Sequence, residues 1–400
     1  MRSRILLFLT TLILVPLLTY FVILFARGYR PSSVGGGSLQ PTGILAASSL
    51  PEGAQLYINS QFKSATNTNL NLPPGLYKIE IKKDTYYSWK KTLEIKPEEV
   101  TRAAAVLFPT VPALKAITSA GAVGPVLSPD GTKVAFIQIR QALPAGRQES
   151  NIFTLDLNDS PLGILNRDPK QIASLPSVST ITWSPDSKQL VLAASPAAYL
   201  VDVNNPSQQT TNVSARLTAL LQDWNRTHAI REAQKLSTLP LPLLNTLATA
   251  AANLVWSPKE NKVLYTATAS ATIADQLIRQ LPGSSTQLQK RDLQPGGVYV
   301  YDLEEDRNFL IATFKCQLST VNCPANAGLS WFPTSNHLIE LKQSKVTILE
   351  YDGGNSTVVY MGPMENSFAF PYPSSKQMLI LSNLNPTTFK VPNLYAVSLR

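Results

Sequence analysis

The chain has 400 residues, 44% of them hydrophobic and 15% charged, with a formal net charge of +9, two cysteines and two histidines. This is ample for two or more packed cores, and a mean hydropathy near zero is that of a globular chain carrying one greasy segment. Two histidines and two cysteines make a zinc site a poor reading. The positive charge is no nucleic-acid footprint, because Arg2, Arg4, Arg27 and Arg30 flank the greasy segment and the remaining basic residues are interleaved with acids.

Residues 5–25 run without a charge. At about 1.5 Å per residue, a helix of this length crosses the roughly 30 Å hydrocarbon core of a bilayer, and Pro16 is tolerable inside it. A cleaved signal peptide would show an apolar region of about 7–15 residues and a small-x-small site. The stretch Phe25-Ala26-Arg27-Gly28 offers neither. The expectation is an uncleaved single-pass signal anchor in the plasma membrane, with residues 1–4 as a cytoplasmic tail and the chain from Tyr29 onward extracytoplasmic. Arg2, Arg4 and the terminal amine outweigh Arg27 and Arg30 only narrowly in setting that orientation.

Residues 26–42, rich in glycine and serine, read as a flexible linker. Period-two alternation then begins. Tyr77, Ile79 and Ile81 alternate with Lys78, Glu80 and Lys82, and Leu93 and Ile95 alternate with Thr92, Glu94 and Lys96, so each strand has one buried and one wet face. Pro73-Pro74-Gly75 is a turn. The lysines of this region alternate with Glu80, Asp84, Glu94, Glu98 and Glu99, as on a solvated sheet. Pro51-Glu52-Gly53-Ala54, then Leu56-Tyr57-Ile58-Asn59, the later Pro74-Gly75 and the aromatic Tyr86-Tyr87-Ser88-Trp89 together resemble the PEGA domain across residues 43–108. The resemblance implies a small β-sandwich of cell-surface and envelope proteins with no catalytic residues, acting as a stalk or adhesive spacer. Tyr86, Tyr87 and Trp89 read as core and cross-strand packing in preference to a carbohydrate platform.

From residue 109 onward one turn recurs in one register: Ser128-Pro129-Asp130-Gly131, Ser184-Pro185-Asp186-Ser187, Ser257-Pro258-Lys259-Glu260, Phe332-Pro333-Thr334-Ser335 and Tyr372-Pro373-Ser374-Ser375. Trp183, Trp256 and Trp331 stand two positions before the proline in three copies, and each copy has a later strand ending in Asp156, Asp202, Asp302, Glu350 or Ser398 plus one apolar residue. Units of this kind bury their faces by stacking on one another. The tryptophans are expected between neighbouring sheets. The Trp-Ser-Pro-Asp turn with the Tyr-Val-x-Asp-Leu strand resembles the TolB-like, or WD-like, β-propeller repeats over residues 109–400. The fold class expected is all-β: an N-terminal transmembrane helix, a PEGA-like β-sandwich and a propeller of five blades, with six as the alternative because the resembled propellers commonly have six. Residues 114–118 can supply the outermost strand of the last blade and so remove an open edge.

Residues 212–252 interrupt the pattern. Leu217, Leu220, Leu221 and Trp224 fall at helical spacing, Ser214 can cap, and Pro240 with Pro242 ends the run, which predicts an inserted helical hairpin. Its stripe is expected to pack on the propeller, and a protruding partner-binding helix is the alternative. Cys316 and Cys323 are an isolated pair in a connecting loop, which outside the cytosol reads as a disulfide.

The long connections, residues 141–150, 204–253, 270–296, 315–326 and 385–392, all open on one face of a propeller, opposite the short proline turns. Variable loops on a rigid scaffold are where binding is usually built, so Arg147, Trp224, Arg226, His228 and Arg279 are the candidate binding residues. Neutral drift of unconstrained loops explains the same pattern. Asp130 and Asp186 read as turn caps, and the recurrence of the acids at 156, 202, 302 and 350 points to structure. His228 and His337 lack a Gly-x-Ser-x-Gly elbow, and Gly35-Gly36-Gly37 is no phosphate loop. No cofactor and no nucleic-acid partner are expected. The reading is a membrane-anchored, non-enzymatic envelope protein whose propeller binds a protein or a glycan; a glycan-cleaving enzyme working by two carboxylates and a purely structural cell-wall component are the alternatives.

Overall fold

The computed structural model describes the chain except for Met1 and residues 32–38, 141–148, 160–167, 206–209, 280–284, 314–324, 343 and 388–390. By its contacts the chain divides into two units, Met1–Phe108 with Arg279–Gln289, and Pro109–Ile278 with Lys290–Arg400.

In the first unit, helix α1 (Arg2–Ala26) carries Pro16 inside it and exposes its apolar side chains, and Leu7–Ala26 is long and apolar enough to cross a membrane. Its end is a Schellman motif: the Tyr29 N–H donates to Leu24 O (3.0 Å) and the Gly28 N–H to Phe25 O (3.2 Å), with Gly28 at φ +93°. Only glycine takes that conformation without strain. Residues 26–31 and 39–42 are more ordered than their composition predicts. Arg30–Pro31 pairs antiparallel with Leu39–Gln40, and the Thr42 N–H donates to Gly28 O (3.2 Å).

Two sheets make the sandwich. Gly43–Leu50 lies between antiparallel Thr68–Leu72 and parallel Val100–Val106, and the second sheet runs Gln61–Ala65, Gln55–Ile58, Gly75–Lys82, Trp89–Ile95. The alternating residues Leu45, Ala47, Leu56, Ile58, Ile79, Ile81, Leu93 and Ile95 close on one core with Trp89. The opposite face keeps its charges wet, Glu80 pairing with Lys82 and Lys90, each at 3.1 Å. Tyr86 packs against the core, but Tyr87 is 39% exposed and is not part of it. The segment 285–289 belongs to this unit, Gln287 Nε2 donating to Thr92 O (2.9 Å) and the Glu94 N–H to Thr286 Oγ1 (3.2 Å).

The second unit is a β-propeller. Its described residues form five four-stranded antiparallel sheets in which consecutive strands are neighbours. The first is Val123–Leu127, Lys133–Arg140, Glu149–Asp156 and Lys170–Pro176; the second is Thr180–Trp183, Gln189–Ala194, Ala197–Asp202 and Thr211–Asn212. The third is Ala251–Trp256, Lys262–Ala267, Gly297–Asp302 and Arg307–Thr313, and the fourth Leu329–Trp331, His337–Lys342, Lys345–Glu350 and Thr357–Met361. The fifth, Ala369–Pro371, Gln377–Ser382 and Asn393–Ser398, receives Leu114–Ala116 as its outer strand, with Leu114 opposite Val397. Shared apolar clusters join the first sheet to the second, the third to the fourth and the fifth to the first.

A helical pair links the second and third sheets. After a short turn, Ser214–Arg216, come α2 (Leu217–Leu236) and α3 (Leu241–Ala250). Ser214 caps no helix; its Oγ accepts the Ala198 N–H (2.9 Å) and donates to Asn212 (2.7 Å). Pro240 and Pro242 begin α3, where a missing N–H costs nothing, and do not close α2. The insertion also starts later than residue 204, because Thr211–Asn212 is the second sheet's fourth strand. The buried side chains belong to α3: Leu243 and Leu247 share a core with Trp256, Val263, Tyr265 and Tyr299 of the third sheet. α2 buries none fully. Arg231 on α2 donates from Nη1 to Pro185 O of the second sheet (2.7 Å), and Lys235 pairs with Glu260 of the third (3.2 Å).

Candidate binding face

The two ends of the propeller sheets are built differently. At the proline turns Ser128 Oγ donates to Asp130, and Asp130 Oδ1 also accepts the Thr132 N–H (3.0 Å); Ser184 and Asp186 repeat the arrangement at 2.6 Å, with the Lys188 N–H at 3.2 Å. Burial raises the Asp130 pKa, and the hydrogen bonds from Ser128 and Thr132 outweigh it, so the net shift is downward. For Asp186 the Ser184 hydroxyl is the largest cause of a downward shift. Both are turn-fastening anions. Two of the turns are also tied to the next sheet: the Asp130 N–H donates to Ser187 Oγ (3.2 Å) and the Lys259 N–H to Ser335 Oγ (3.0 Å).

The recurrent acids serve the same end. Lys133 stands opposite Asp156, Gln189 opposite Asp202, Lys262 opposite Asp302, His337 opposite Glu350 and Gln377 opposite Ser398. Asp156, Asp202 and Asp302 each accept a backbone N–H two residues on, at 2.8–2.9 Å. In the third sheet the pair is fully buried: Lys262 Nζ lies 3.2 Å from Asp302 Oδ2 and 4.6 Å from the centre of the Tyr351 ring. His337 is buried with Nδ1 3.0 Å from Thr334 Oγ1. These groups are occupied in structure.

The tryptophans carry the same logic outward. Trp183 Nε1 donates to Val126 O of the first sheet (3.0 Å), and Trp331 Nε1 to Val255 O of the third (2.9 Å). Trp183 and Trp256 are buried, whereas Trp331 is only half-buried, short of the expected full enclosure. Trp256 Nε1 is buried without a hydrogen-bond partner, in the core that the third sheet shares with α3.

At the opposite end lie the connections from second to third strands and from each sheet to the next. Of the residues singled out there from sequence, Arg147 and both cysteines, Cys316 and Cys323, lie outside the described residues. Trp224 is half-buried on α2, in line with Leu217 and, seven residues on, with Arg231, which reaches the second sheet. Arg226 and His228 are exposed, Arg226 on the other side of the helix from Trp224. Arg279 is exposed and groups with the first unit. Trp224 and Arg226 therefore do not share a face of α2. Sequence reading missed the residues that do mark this end of the propeller: Ile139, Met361 and Leu384 are exposed there at 41%, 73% and 42%. Met361, with Lys342, Ser344 and Lys345, lines an open depression. Their signal was faint, a lone apolar residue at a strand end. Every exposed large hydrophobic residue described in the propeller is aliphatic or Met, and none is aromatic. Among the described residues no group of histidine, cysteine and acid residues could hold a metal ion.

Residues 42–110 match the PEGA domain family, so the first unit's sandwich is a PEGA domain. No curated protein matches the chain. Among solved structures it is similar to an oligogalacturonate lyase in complex with manganese, at 11% identity and TM-score 0.23, covering 84% of this chain and 81% of that one. An acylaminoacyl peptidase from Pyrococcus horikoshii gives 12% identity and TM-score 0.20, with 69% of this chain matching 38% of the peptidase. The β-propeller domain of the trilobed protease from Pyrococcus furiosus gives 11% and 0.19, covering 89% and 95%.

Proposed function

We propose that this is a single-pass envelope protein of the plasma membrane, anchored by α1, whose extracytoplasmic propeller binds another protein through the face that carries the long connections. The observation that carries the choice of partner is the character of the exposed residues. Carbohydrate sites stack sugars on aromatic rings, whereas Ile139, Met361 and Leu384 offer scattered aliphatic contacts of the kind found at protein interfaces. A binding role, in preference to catalysis, is supported by the engagement of the motif-face acids in turns and in the buried Lys262–Asp302 pair.

The test places a photocrosslinking residue at Leu384 and, separately, at Ser374 on the proline-turn face, in the full-length chain expressed in its native membrane. A discrete protein adduct from Leu384 and none from Ser374 is expected. Equal labelling from both positions, or retention of the chain by purified envelope glycans, refutes the reading.

A further inference from the structure

The end of α1 is bonded to one end of the PEGA sandwich. Arg27 Nη2 lies 2.7 Å from Glu98 Oε2 and its Nε 3.2 Å from the same oxygen. The Thr42 N–H donates to Gly28 O (3.2 Å), as does the Thr42 hydroxyl, and the Glu98 N–H donates to Thr42 O (3.0 Å). Arg30 donates to Phe25 O (3.0 Å) and lies over the Phe25 ring at 3.7 Å, closing the helix end from the other side. A Cβ on Gly28 would stand 3.2 Å from Thr42 O, and one on Gly43 only 2.2 Å from Lys96 O, so glycine at both positions permits the close approach.

Strand register shows what else occupies that end. Gly43 pairs with Leu72, Ile44 with Val100, and Gly75 with Ile95. The turn 73–75 with Leu76, and the turn 96–99 with Val100, therefore lie together beside the residues bonded to the helix end. Apolar residues stand exposed on this rim among the charges of Lys96, Glu98 and Glu99: Leu76 is 72% exposed, Val100 44%, and Pro73, Pro74 and Pro97 are exposed. The far end of the same strand, at Lys82, is about 25 Å away at about 3.3 Å per residue, and the turn that follows it carries Lys83 and Asp84.

We propose that this rim is a membrane-contact surface, resting on the interfacial region of the same bilayer that α1 crosses, so that the PEGA domain is seated on the lipid and not swung on a flexible stalk. The inference rests on the anchor reading. The occupant follows from chain continuity: residues hydrogen-bonded to the last turn of a spanning helix lie at the depth where the helix leaves the hydrocarbon. There an exposed leucine, valine and three prolines meet headgroups and upper acyl chains, and burying apolar surface is favourable. Arg30 and Lys96 at the same level suit anionic headgroups, while Arg27 is engaged by Glu98.

The test uses the full-length chain in nanodiscs of phosphatidylcholine and phosphatidylglycerol, with p-benzoylphenylalanine placed singly at Val15, Leu76 or Asp84 and lipid adducts read by mass spectrometry. Adducts from positions 15 and 76 and none from 84 are expected. An adduct from 15 with none from 76 overturns the seat while leaving the anchor intact; absence from both overturns the anchor and the seat with it. Gly28→Val, which removes the close approach to Thr42, is expected to abolish the adduct at 76 and keep that at 15. Persistence of the adduct at 76 in this variant overturns the helix-end contacts as its cause.

Discussion

Trp183 and Trp256 occupy one repeat position and are both buried, yet replacing each by phenylalanine should have opposite electrostatic consequences. Trp183→Phe removes an indole N–H that donates to Val126 O at 3.0 Å and leaves that carbonyl short of a partner. Losing such a bond costs about 0.5–1.5 kcal/mol. Trp256→Phe removes an N–H that is buried and unpaired, and relieves a desolvation penalty of about 1–3 kcal/mol. Both substitutions lose similar ring volume, so that term largely cancels in the comparison. The Trp183 variant should therefore be less stable than the Trp256 variant by about 2–4 kcal/mol, which at about 2 °C per kcal/mol in a unit of this size is a separation of roughly 4–8 °C in the propeller transition. Differential scanning calorimetry of the full-length chain in nanodiscs checks it. Equal Tm values, or a lower Tm for Trp256→Phe, would refute the contrast between a bonded indole at Trp183 and an unpaired one at Trp256.

Asp302→Asn strands the buried Lys262 charge and should destabilise the propeller by about 3–5 kcal/mol, while the double change to the fifth sheet's pair, Lys262→Gln with Asp302→Ser, should recover most of the loss in the same calorimetric assay. Asp130 and Asp186 have folded pKa values below their unfolded ones, so their contribution is present above about pH 4 and is lost as pH falls through the folded values; the double Asn variant should flatten the acid limb of a stability–pH profile. Leu243→Ala on α3 should cost about 2–5 kcal/mol, like a strand core residue, and Leu220→Ala on α2 much less, as chemical denaturation of the two variants will show.

The sequence made the repeated parts legible because they repeat. One serine–proline turn seen five times in register locates first, second and third strands, and the period-two alternation of Ile79, Ile81, Leu93 and Ile95 names the sandwich core directly. The fourth strands were harder to see. Thr211–Asn212 is two residues long and polar, and nothing in its composition separates it from the insertion that follows. Proline was read with the wrong sign at 240 and 242, since the same residue that ends a helix is favoured in a first turn. The order in residues 26–31 and 39–42 was hidden for a different reason: it comes from backbone bonds that join Thr42 to Gly28 and to the Glu98 turn, which composition does not record. The sidedness of α2 was not legible either, Trp224 lying half-buried and Arg226 exposed on the other side, and the exposed Met361 and Leu384 carry no motif.

The polar networks divide the labour of the propeller between its two ends. At the proline turns, Asp130, Asp186, Asp156, Asp202 and Asp302 accept backbone N–H groups, and two of the turns lend an N–H to the serine of the next, so a substitution there disturbs two sheets at once. Such an end tolerates little variation and holds the ring in register. The connections that leave the other end lengthen into a hairpin, Ala271–Thr272 with Asp292–Leu293, and a helical pair, which reaches back to the turn end, Arg231 to Pro185 and Lys235 to Glu260. The buried Arg291, paired with Asp306 at 3.0 Å and with Asp275 at 2.7 Å, ties that hairpin to the turn between the third sheet's third and fourth strands. A buried guanidinium held by two carboxylates is costly unless both partners are in place. Its presence within a long connection means that the connection is held to the third sheet along a fixed course, which is what a loop that merely drifted would have no need of.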